Sequence, residues 1–215
     1  MPQNPVAVKT IVTTDMAEKI AKKYGVEIKN VLTGFKFIGE QIGFLEEKGQ
    51  EDRYIFGFEE SYGYLSGSYV RDKDAVDGAL LICEMFAFYK TNRMSLIDKL
   101  NELYKEFGYT VNKLFSYEFP GAAGFNKMND LMQNLRIGIV SLDNVSQMTD
   151  YNIGIDGLPK SNVLKFIFED GDSMVIRPSG TEPRIKIYIS VAGNCYEETK
   201  NKTELILTKI RNFIM

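Results

Sequence analysis

The sequence predicts two domains of different class: a mixed-sheet α/β domain over residues 1–110, then a smaller antiparallel-sheet α+β domain, flanked by helices, over residues 111–215. Three observations lead to this. Strand-like and helix-like segments alternate as far as Gly108, which is typical of an α/β unit. Two alternating apolar runs then surround Asp170-Gly171, a strong hairpin signal. A chain of 215 residues is also long enough for two small domains.

The elements of the first domain are predicted from β-branched runs, helical periodicity and capping residues. In order they are a strand at 6–12, a helix between caps Thr14 and Gly25, a strand at 26–32, a helix closed by Gly49, a strand at 53–58, a helix at 75–90 capped by Asp74, and a helix from the capping box at Ser95 to Gly108.

The second domain reads differently, because most of its strands alternate apolar and polar residues. Its predicted elements are a strand at 109–117, an amphipathic helix at 122–136, the two hairpin strands within 162–180, a strand at 185–193 and a final helix at 196–214. Several strands accompanied by helices indicate an antiparallel sheet with helical cover.

Composition excludes several classes of function. The net charge of −3 and pI near 5.3 argue against nucleic-acid binding, and the absence of histidine rules out a Ser-His-Asp triad or a His-ligated zinc site within this chain. Cys83 and Cys195 lack metal-ligand spacing and are expected to be buried thiols. No signal-peptide pattern opens the sequence, so a cytoplasmic location is expected.

The segment RPSGTEPRIK, residues 177–186, is the strongest candidate for chemistry. Gly180 allows backbone N–H groups to approach an anion, and Ser179 and Thr181 add hydroxyl donors. Arg177 and Arg184 bracket the segment with guanidinium groups suited to bidentate phosphate contacts. The alternative is a polar turn with solvated arginines.

A second candidate is the loop GFEESYGYLSG, residues 57–67, which follows a predicted strand. Glu59 and Ser61 offer an acceptor and a hydroxyl that suit sugar hydroxyl groups, at the strand end where α/β domains usually bind ligands. An acidic solvated loop is the alternative.

Two weaker candidates complete the set. VRDKD places Arg71 and Lys73 between aspartates just before a helix, although such clusters are usually ion pairs and caps. LTGFKF places Thr33 and Gly34 at a helix start, where backbone groups could face a ligand.

The order TGFKFIG, GFEESYG, RDKD and RPSGTEP resembles the third and fourth domains of the α-D-phosphohexomutase family over essentially the whole chain. FEESYGYLSGSYVRDKD is similar to its phosphoglucomutase branch. The resemblance implies that substrate phosphate is held by Arg177, Ser179, Gly180, Thr181 and Arg184 and that sugar hydroxyls are bound by Glu59 and Ser61. It also implies that Lys73 assists proton transfer, with Arg71, Thr33 and Gly34 in the substrate cleft. The family often has lysine in place of Arg184 and arginine near Lys186, so charge is kept.

The same resemblance implies parts that this sequence lacks. The family's serine loop of the TASHNP type and its Mg²⁺ loop of the DGDxDR type are absent, so the chain by itself is expected to be inactive and to bind no metal. The expected partners are glucose 1-phosphate, glucose 6-phosphate, glucose 1,6-bisphosphate and the amino-terminal half of the same enzyme. The alternatives are a free-standing phosphosugar-binding module, a phosphomannomutase or phosphopentomutase fragment, and a structural domain without a ligand.

Overall fold

The computed structural model describes residues 1–140, 142–155, 157–180 and 182–214. The chain forms two compact units, Met1–Gly108 and Tyr109–Met215. The first is a mixed α/β sheet with helices and the second a five-stranded antiparallel sheet with helices, which confirms the predicted fold class.

The first unit has four strands and four α-helices, and its chain order alternates between them. The elements are β1 (Val6–Thr10), α1 (Met16–Tyr24), β2 (Glu27–Val31), α2 (Phe35–Glu46), β3 (Tyr54–Glu59), β4 (Gly63–Leu65), α3 (Ala75–Thr91) and α4 (Leu96–Phe107). The sheet order is β2-β1-β3-β4, with β1 parallel to β2 and β3, and β4 antiparallel to β3. Every residue of the central strand β1 is buried.

Local capping explains three of the helix ends in this unit. Asp74 accepts hydrogen bonds from the amides of Val76 and Asp77 at 2.8 and 3.1 Å, and Ser95 forms a capping box with Asp98. Gly25 ends α1 in the left-handed conformation at φ 67°. The strand β4 was not among the sequence predictions, because its three residues lie inside a segment read as loop.

The described residues of the second unit form five strands and two α-helices. They are β5 (Tyr109–Glu118), α5 (Gly121–Arg136), β6 (Val145–Asp150), β7 (Leu164–Phe168), β8 (Ser173–Pro178), β9 (Arg184–Gly193) and α6 (Tyr196–Ile214). The sheet order is β5-β9-β8-β7-β6, and each neighbouring pair is antiparallel.

One face of this second sheet carries the core of the unit, where alternate apolar residues of its strands pack against α5 and α6. Its fully buried members include Met132, Leu164, Met174, Ile187 and Leu207. Burying such side chains contributes about 1.5–3 kcal/mol each. β6 was not predicted, since its polar sequence VSQMTD lies at the sheet edge and is largely exposed.

Two further observations concern exposure. Cys83 and Cys195 are both free, yet both are exposed, so the expectation of buried thiols was wrong. Over the described residues, no helix combines the length and the apolar character that crossing a bilayer would require.

Candidate functional site

In the first unit, the predicted polar residues lie at the carboxyl edge of the parallel strands. Thr33 and Gly34 follow β2, and Glu59 ends β3, on the opposite side of β1. The connections from β1 to β2 and from β2 to β3 therefore place β2 and β3 on opposite sides of β1. A topological switch point of this kind leaves a crevice at the carboxyl ends of β1 and β3. Thr10, at the end of β1, lies at the same edge.

Glu59 is almost completely buried, with 9% of its surface exposed. Burial raises the pKa of this carboxyl, the neighbouring Glu60 charge raises it further, and the Lys73 ammonium opposes both. A Cβ on Gly63 would lie 2.7 Å from the Glu59 side chain and 2.9 Å from the Phe35 ring. Glycine is therefore required at position 63 for this carboxyl to occupy its place.

Glu60 ties the loop after β3 to the end of β1. Its carboxylate accepts hydrogen bonds from the hydroxyls of Thr10 at 3.1 Å, Thr13 at 3.3 Å and Ser61 at 3.3 Å. The next residue, Tyr62, has φ 62° and is 87% exposed, so the turn projects outward. Ser61 is thus held at the surface beside a fixed carboxylate.

Thr33 and Gly34 form the entry to α2. No side chain caps this helix, and Gly34 adopts φ 123°, a conformation that favours glycine. The Thr33 hydroxyl is buried and has no hydrogen-bond partner among the described residues. Such a group is costly to leave unsatisfied, by roughly 1–3 kcal/mol.

The segment before α3 brings Lys73 to this group but directs Arg71 elsewhere. The Lys73 ammonium lies 5.8 Å from the centre of the Phe35 ring and 3.3 Å from Asp72. Arg71 donates to the Ser68 carbonyl at 2.6 Å and forms an ion pair with Glu46. Arg71 stays a predicted substrate contact, although these donors are already engaged within the unit.

In the second unit, the segment between β8 and β9 is closed by backbone hydrogen bonds. The Ser179 amide donates to the Arg184 carbonyl at 2.7 Å, and the Arg184 amide donates to the Glu182 carbonyl at 2.8 Å. A Cβ on Gly180 would meet no heavy atom of the described residues within 4 Å, so its backbone is open to an approaching ligand. Thr181 lies outside the described residues.

Arg177 and Lys186 form a pair of adjacent positive charges. They are register partners across β8 and β9, and Ser116 of β5 continues the same row. Directly opposed residues of antiparallel strands project to the same face, where two like charges repel. The Arg177 Nε atom is buried without a hydrogen-bond partner, and neither cation has an ion pair among the described residues. A bound anion would satisfy both.

Arg184 differs, because its guanidinium has carboxylate neighbours. Its Nη2 atom donates to Glu118 Oε1 at 2.8 Å, and its Nε atom lies 3.6 Å from Glu182 Oε2. Arg177 and Arg184 were predicted to bracket one anion together. The structure places them in different environments, because only Arg184 has carboxylate neighbours among the described residues.

The structure thus brings together Thr33, Glu59, Ser61 and Lys73 at one sheet edge of the first unit, and Arg177, Ser179, Gly180 and Arg184 at one loop of the second. The sequence did not indicate that Glu60 attaches the loop after β3 to β1. It also did not indicate that Lys186 lies beside Arg177, since Lys186 was considered only as a lysine near a position where the family has arginine. Strand pairing is the signal that would have found both. Among the described residues, no three acidic or cysteine side chains are grouped closely enough to hold a metal ion.

Two family models match the chain. Residues 1–107 match the model described as phosphoglucomutase/phosphomannomutase, alpha/beta/alpha domain III, and residues 122–194 match phosphoglucomutase/phosphomannomutase, C-terminal domain. Together the two matches include every described candidate residue above.

Curated relatives agree with these matches. A phosphoglucomutase from Staphylococcus saprophyticus is 34% identical over 212 residues, and one from Staphylococcus aureus strain USA300 is 33% identical over 214 residues. The alignments include 92% and 93% of this chain but 38% of each relative, in the carboxyl-terminal part. The chain therefore spans well under half the length of these relatives.

Solved structures show the same fold. The open form of the Paramecium phosphoglucomutase pp63/parafusin matches with a TM-score of 0.71 and 23% identity, over 96% of this chain and 38% of that protein. A phosphoglucomutase/phosphomannomutase family protein from Burkholderia thailandensis matches with a TM-score of 0.60 and 15% identity, over 98% and 38% respectively.

Proposed function

Because this chain belongs to the phosphoglucomutase/phosphomannomutase family, we propose that it is the substrate-gripping carboxyl-terminal portion of a phosphoglucomutase. The complete enzyme would interconvert glucose 1-phosphate and glucose 6-phosphate through a phosphoserine and a bisphosphate intermediate. This chain would supply substrate contacts, while the amino-terminal portion would supply the phosphoserine.

The observation that carries the proposal is the row of Arg177 and Lys186 beside the open backbone of Gly180. Two adjacent cations without carboxylate partners among the described residues create a local demand for negative charge. A phosphate dianion offers three acceptor oxygens, and guanidinium groups bind such anions in a bidentate manner. The Ser179 hydroxyl would add a further donor.

The loop after β3 suits the hydroxyl groups of a sugar. Glu59 would accept hydrogen bonds from sugar hydroxyls and Ser61 would add a hydroxyl, while Glu60 keeps the loop attached to β1. Lys73 would stand near the reacting oxygen, since its charge already interacts with Glu59. Phosphoryl transfer depends mostly on positioning and charge stabilisation, so a portion that only holds the substrate still determines the rate.

The magnesium ion that the family resemblance implies would be held by the amino-terminal portion of the complete enzyme, because the family's Mg²⁺ loop of the DGDxDR type is absent from this sequence. The cytoplasmic location likewise stays a prediction from the sequence.

The proposal is tested by turnover. The 215-residue chain alone is expected to convert no glucose 1-phosphate, whereas the same chain joined to the amino-terminal portion of the Staphylococcus saprophyticus relative is expected to convert it. In the joined protein, Arg177→Ala should lower kcat/KM by about 10- to 100-fold, because a charged hydrogen bond to phosphate contributes roughly 1.5–3 kcal/mol.

Arg211→Ala is the matched control, since Arg211 is an exposed arginine in the last turn of α6. Equal turnover in the Arg177→Ala and unmodified joined proteins would remove the phosphate-binding claim. Turnover by the 215-residue chain alone would contradict the proposal that this chain only holds the substrate while the amino-terminal portion supplies the phosphoserine. Turnover of mannose 1-phosphate and of ribose 1-phosphate by the joined protein is measured for comparison, and the sugar phosphate with the highest kcat/KM identifies the preferred substrate.

A further inference from the structure

Residues 66–74, the Lys73 segment, connect β4 to α3. None of these residues is buried, and none belongs to a strand or a helix. Burial in the core therefore cannot hold the segment in one conformation. A segment with few apolar contacts opens easily unless polar contacts hold it, so its order depends on its hydrogen bonds.

The start of the segment is held by Asp77, a residue in the first turn of α3. The Oδ2 atom of its carboxylate accepts a hydrogen bond from the Ser66 amide at 2.7 Å, and the Oδ1 atom accepts one from the Ser66 hydroxyl at 2.5 Å. Hydrogen bonds to an ionised acceptor are roughly twice as strong as neutral ones, and two parallel bonds fix direction as well as distance. Asp77 therefore fixes the direction in which the chain leaves β4.

The end of the segment is held by Asp74, the N-cap of α3. Its Oδ1 atom accepts hydrogen bonds from the amides of Val76 and Asp77, and its Oδ2 atom accepts one from the Tyr69 hydroxyl at 2.9 Å. The Asp74 amide donates to the Tyr64 carbonyl of β4 at 2.9 Å. Residues near the start, the middle and the end of the segment are therefore all attached to the first turn of α3 or to β4.

Lys73 depends on these attachments for its position. It directly precedes Asp74, and its ammonium lies 5.8 Å from the centre of the Phe35 ring. The only ion pair that the structure gives it is to its neighbour Asp72, which belongs to the same exposed segment. Lys73 therefore has the position that the two ends of the segment impose on it.

We propose that Asp77 is a positioning residue for Lys73. Its two hydrogen bonds to Ser66, together with the cap formed by Asp74, close the segment into a loop that is fixed at both ends on α3. This loop holds the Lys73 ammonium at the carboxyl edge of the parallel strands. The inference rests on the proposed function in one respect, because it takes Lys73 to stand near the reacting oxygen. It adds a residue of α3 on which the placement of that ammonium depends.

The kinetic consequence of losing Asp77 follows from this role. A misplacement of about 1 Å, caused by a change away from the chemistry, can lower a rate about 100-fold. A group that acts only in the transition state lowers kcat when it is displaced and leaves KM nearly unchanged. A displaced Lys73 should therefore be seen in kcat.

The first test compares two aspartates in the joined protein. Asp77→Ala should lower kcat for glucose 1-phosphate about tenfold and change KM less than about twofold. Asp98→Ala is the matched control, because Asp98 likewise accepts hydrogen bonds from the amide and hydroxyl of a serine, Ser95, at 3.0 and 2.7 Å in the first turn of α4. Both variants should lower Tm by a similar amount, about 2–4 °C, whereas Asp98→Ala should keep its kcat. Equal losses of kcat would mean that Asp77 only stabilises the fold, and would overturn the proposal.

A double-mutant cycle tests whether Asp77 acts through Lys73. Lys73→Ala should lower kcat by at least about tenfold, and adding Asp77→Ala to it should lower kcat by less than about a further twofold. Independent losses that multiply in the double variant, or a Lys73→Ala variant with full kcat, would overturn the proposal.

The order of Lys73 in the 215-residue chain gives a readout that needs no turnover. The heteronuclear NOE of the Lys73 amide reports its motion on the picosecond to nanosecond timescale. It should fall in Asp77→Ala and stay unchanged in Asp98→Ala. If no joined protein converts glucose 1-phosphate, the proposed function fails, and this readout still decides the positioning role: a fall confined to Asp77→Ala supports it, and an unchanged value in Asp77→Ala overturns it.

Discussion

The two candidate loops satisfy their charges in opposite ways. After β3, Glu60 is bound by three hydroxyl groups, and Glu59 is buried within reach of the Lys73 charge. Between β8 and β9, Arg177 and Lys186 lie side by side with no carboxylate partner among the described residues. A loop that satisfies its own charges suits neutral sugar hydroxyls, whereas a loop that leaves cations unpaired suits a phosphate.

The loops also differ in how tightly their surroundings pack. A Cβ on Gly39 of α2 would lie 2.2 Å from the backbone oxygen of Arg71, so the Lys73 segment is pressed against this helix. A Cβ on Gly180 would meet nothing within 4 Å of the described residues. Packing therefore fixes the position of the Lys73 segment in the first unit, whereas the Gly180 loop of the second unit is open to a ligand.

The largest expected effect tests the packing side of this comparison. Gly39→Ala should lower the free energy of unfolding by about 2–3 kcal/mol, because a backbone carbonyl cannot move aside as a side chain can. Gly43→Ala, in the same helix with free space around its Cβ, should instead stabilise by about 0.5–1 kcal/mol. Urea unfolding monitored by circular dichroism measures both, and equal effects would refute the packing argument.

The next effect concerns the unpaired cations. Lys186→Ala should weaken glucose 6-phosphate binding about tenfold, yet raise stability by a few tenths of a kcal/mol, because it removes a like charge opposite Arg177. Lys165→Ala, whose register partner is the apolar Val175, should change neither quantity. A stability loss with unchanged binding would mean that Lys186 has a structural role.

Gly180→Ala should have a smaller effect and only on the ligand. Stability is expected to stay within about 0.5 kcal/mol, since the new Cβ meets open space. Phosphosugar affinity should fall about threefold to tenfold, because the methyl group would stand between the backbone N–H groups and the anion. Calorimetry with glucose 6-phosphate checks the affinity, and unchanged affinity would separate this glycine from the site.

The smallest effect is the pH dependence of Glu59. Its pKa is raised above the ordinary 4.5 by burial and by Glu60. The folded state therefore holds this proton more readily than the unfolded state, and stability falls as pH rises through 4.5 and the raised folded pKa. Glu59→Gln should flatten that fall in thermal unfolding scans, while Glu47→Gln at an exposed position should not. An unchanged pH profile in Glu59→Gln would contradict the assignment.

Sequence reasoning succeeded where structure is set locally. The capping residues Asp74 and Ser95 and the left-handed Gly25 predicted helix ends that the structure confirms, because each acts within a few residues of itself. The hairpin at Asp170-Gly171 was predicted for the same reason. By contrast, β4 and β6 lack a strong apolar alternation and depend on pairing with a neighbouring strand.

The sites show the same division. The sequence indicated which segments carry polar groups, and these segments do lie at strand ends and at the β8–β9 loop. The contact of Glu60 with Thr10 and the pairing of Arg177 with Lys186 depend on strand order and register. The first contact joins residues that are distant in sequence, and the second pairing depends on a strand register that the turn residues do not specify. Neither could therefore be predicted from the sequence pattern alone.

The pairing of Arg177 with Lys186 beside Gly180 is tested most directly by titrating glucose 6-phosphate into isotope-labelled protein and following the Gly180 amide signal by nuclear magnetic resonance. The signal should shift in the unmodified chain and in Arg211→Ala, and it should stay in place in Arg177→Ala. A Gly180 signal that shifts equally in all three proteins, or in none, would contradict the assignment of this loop to phosphate.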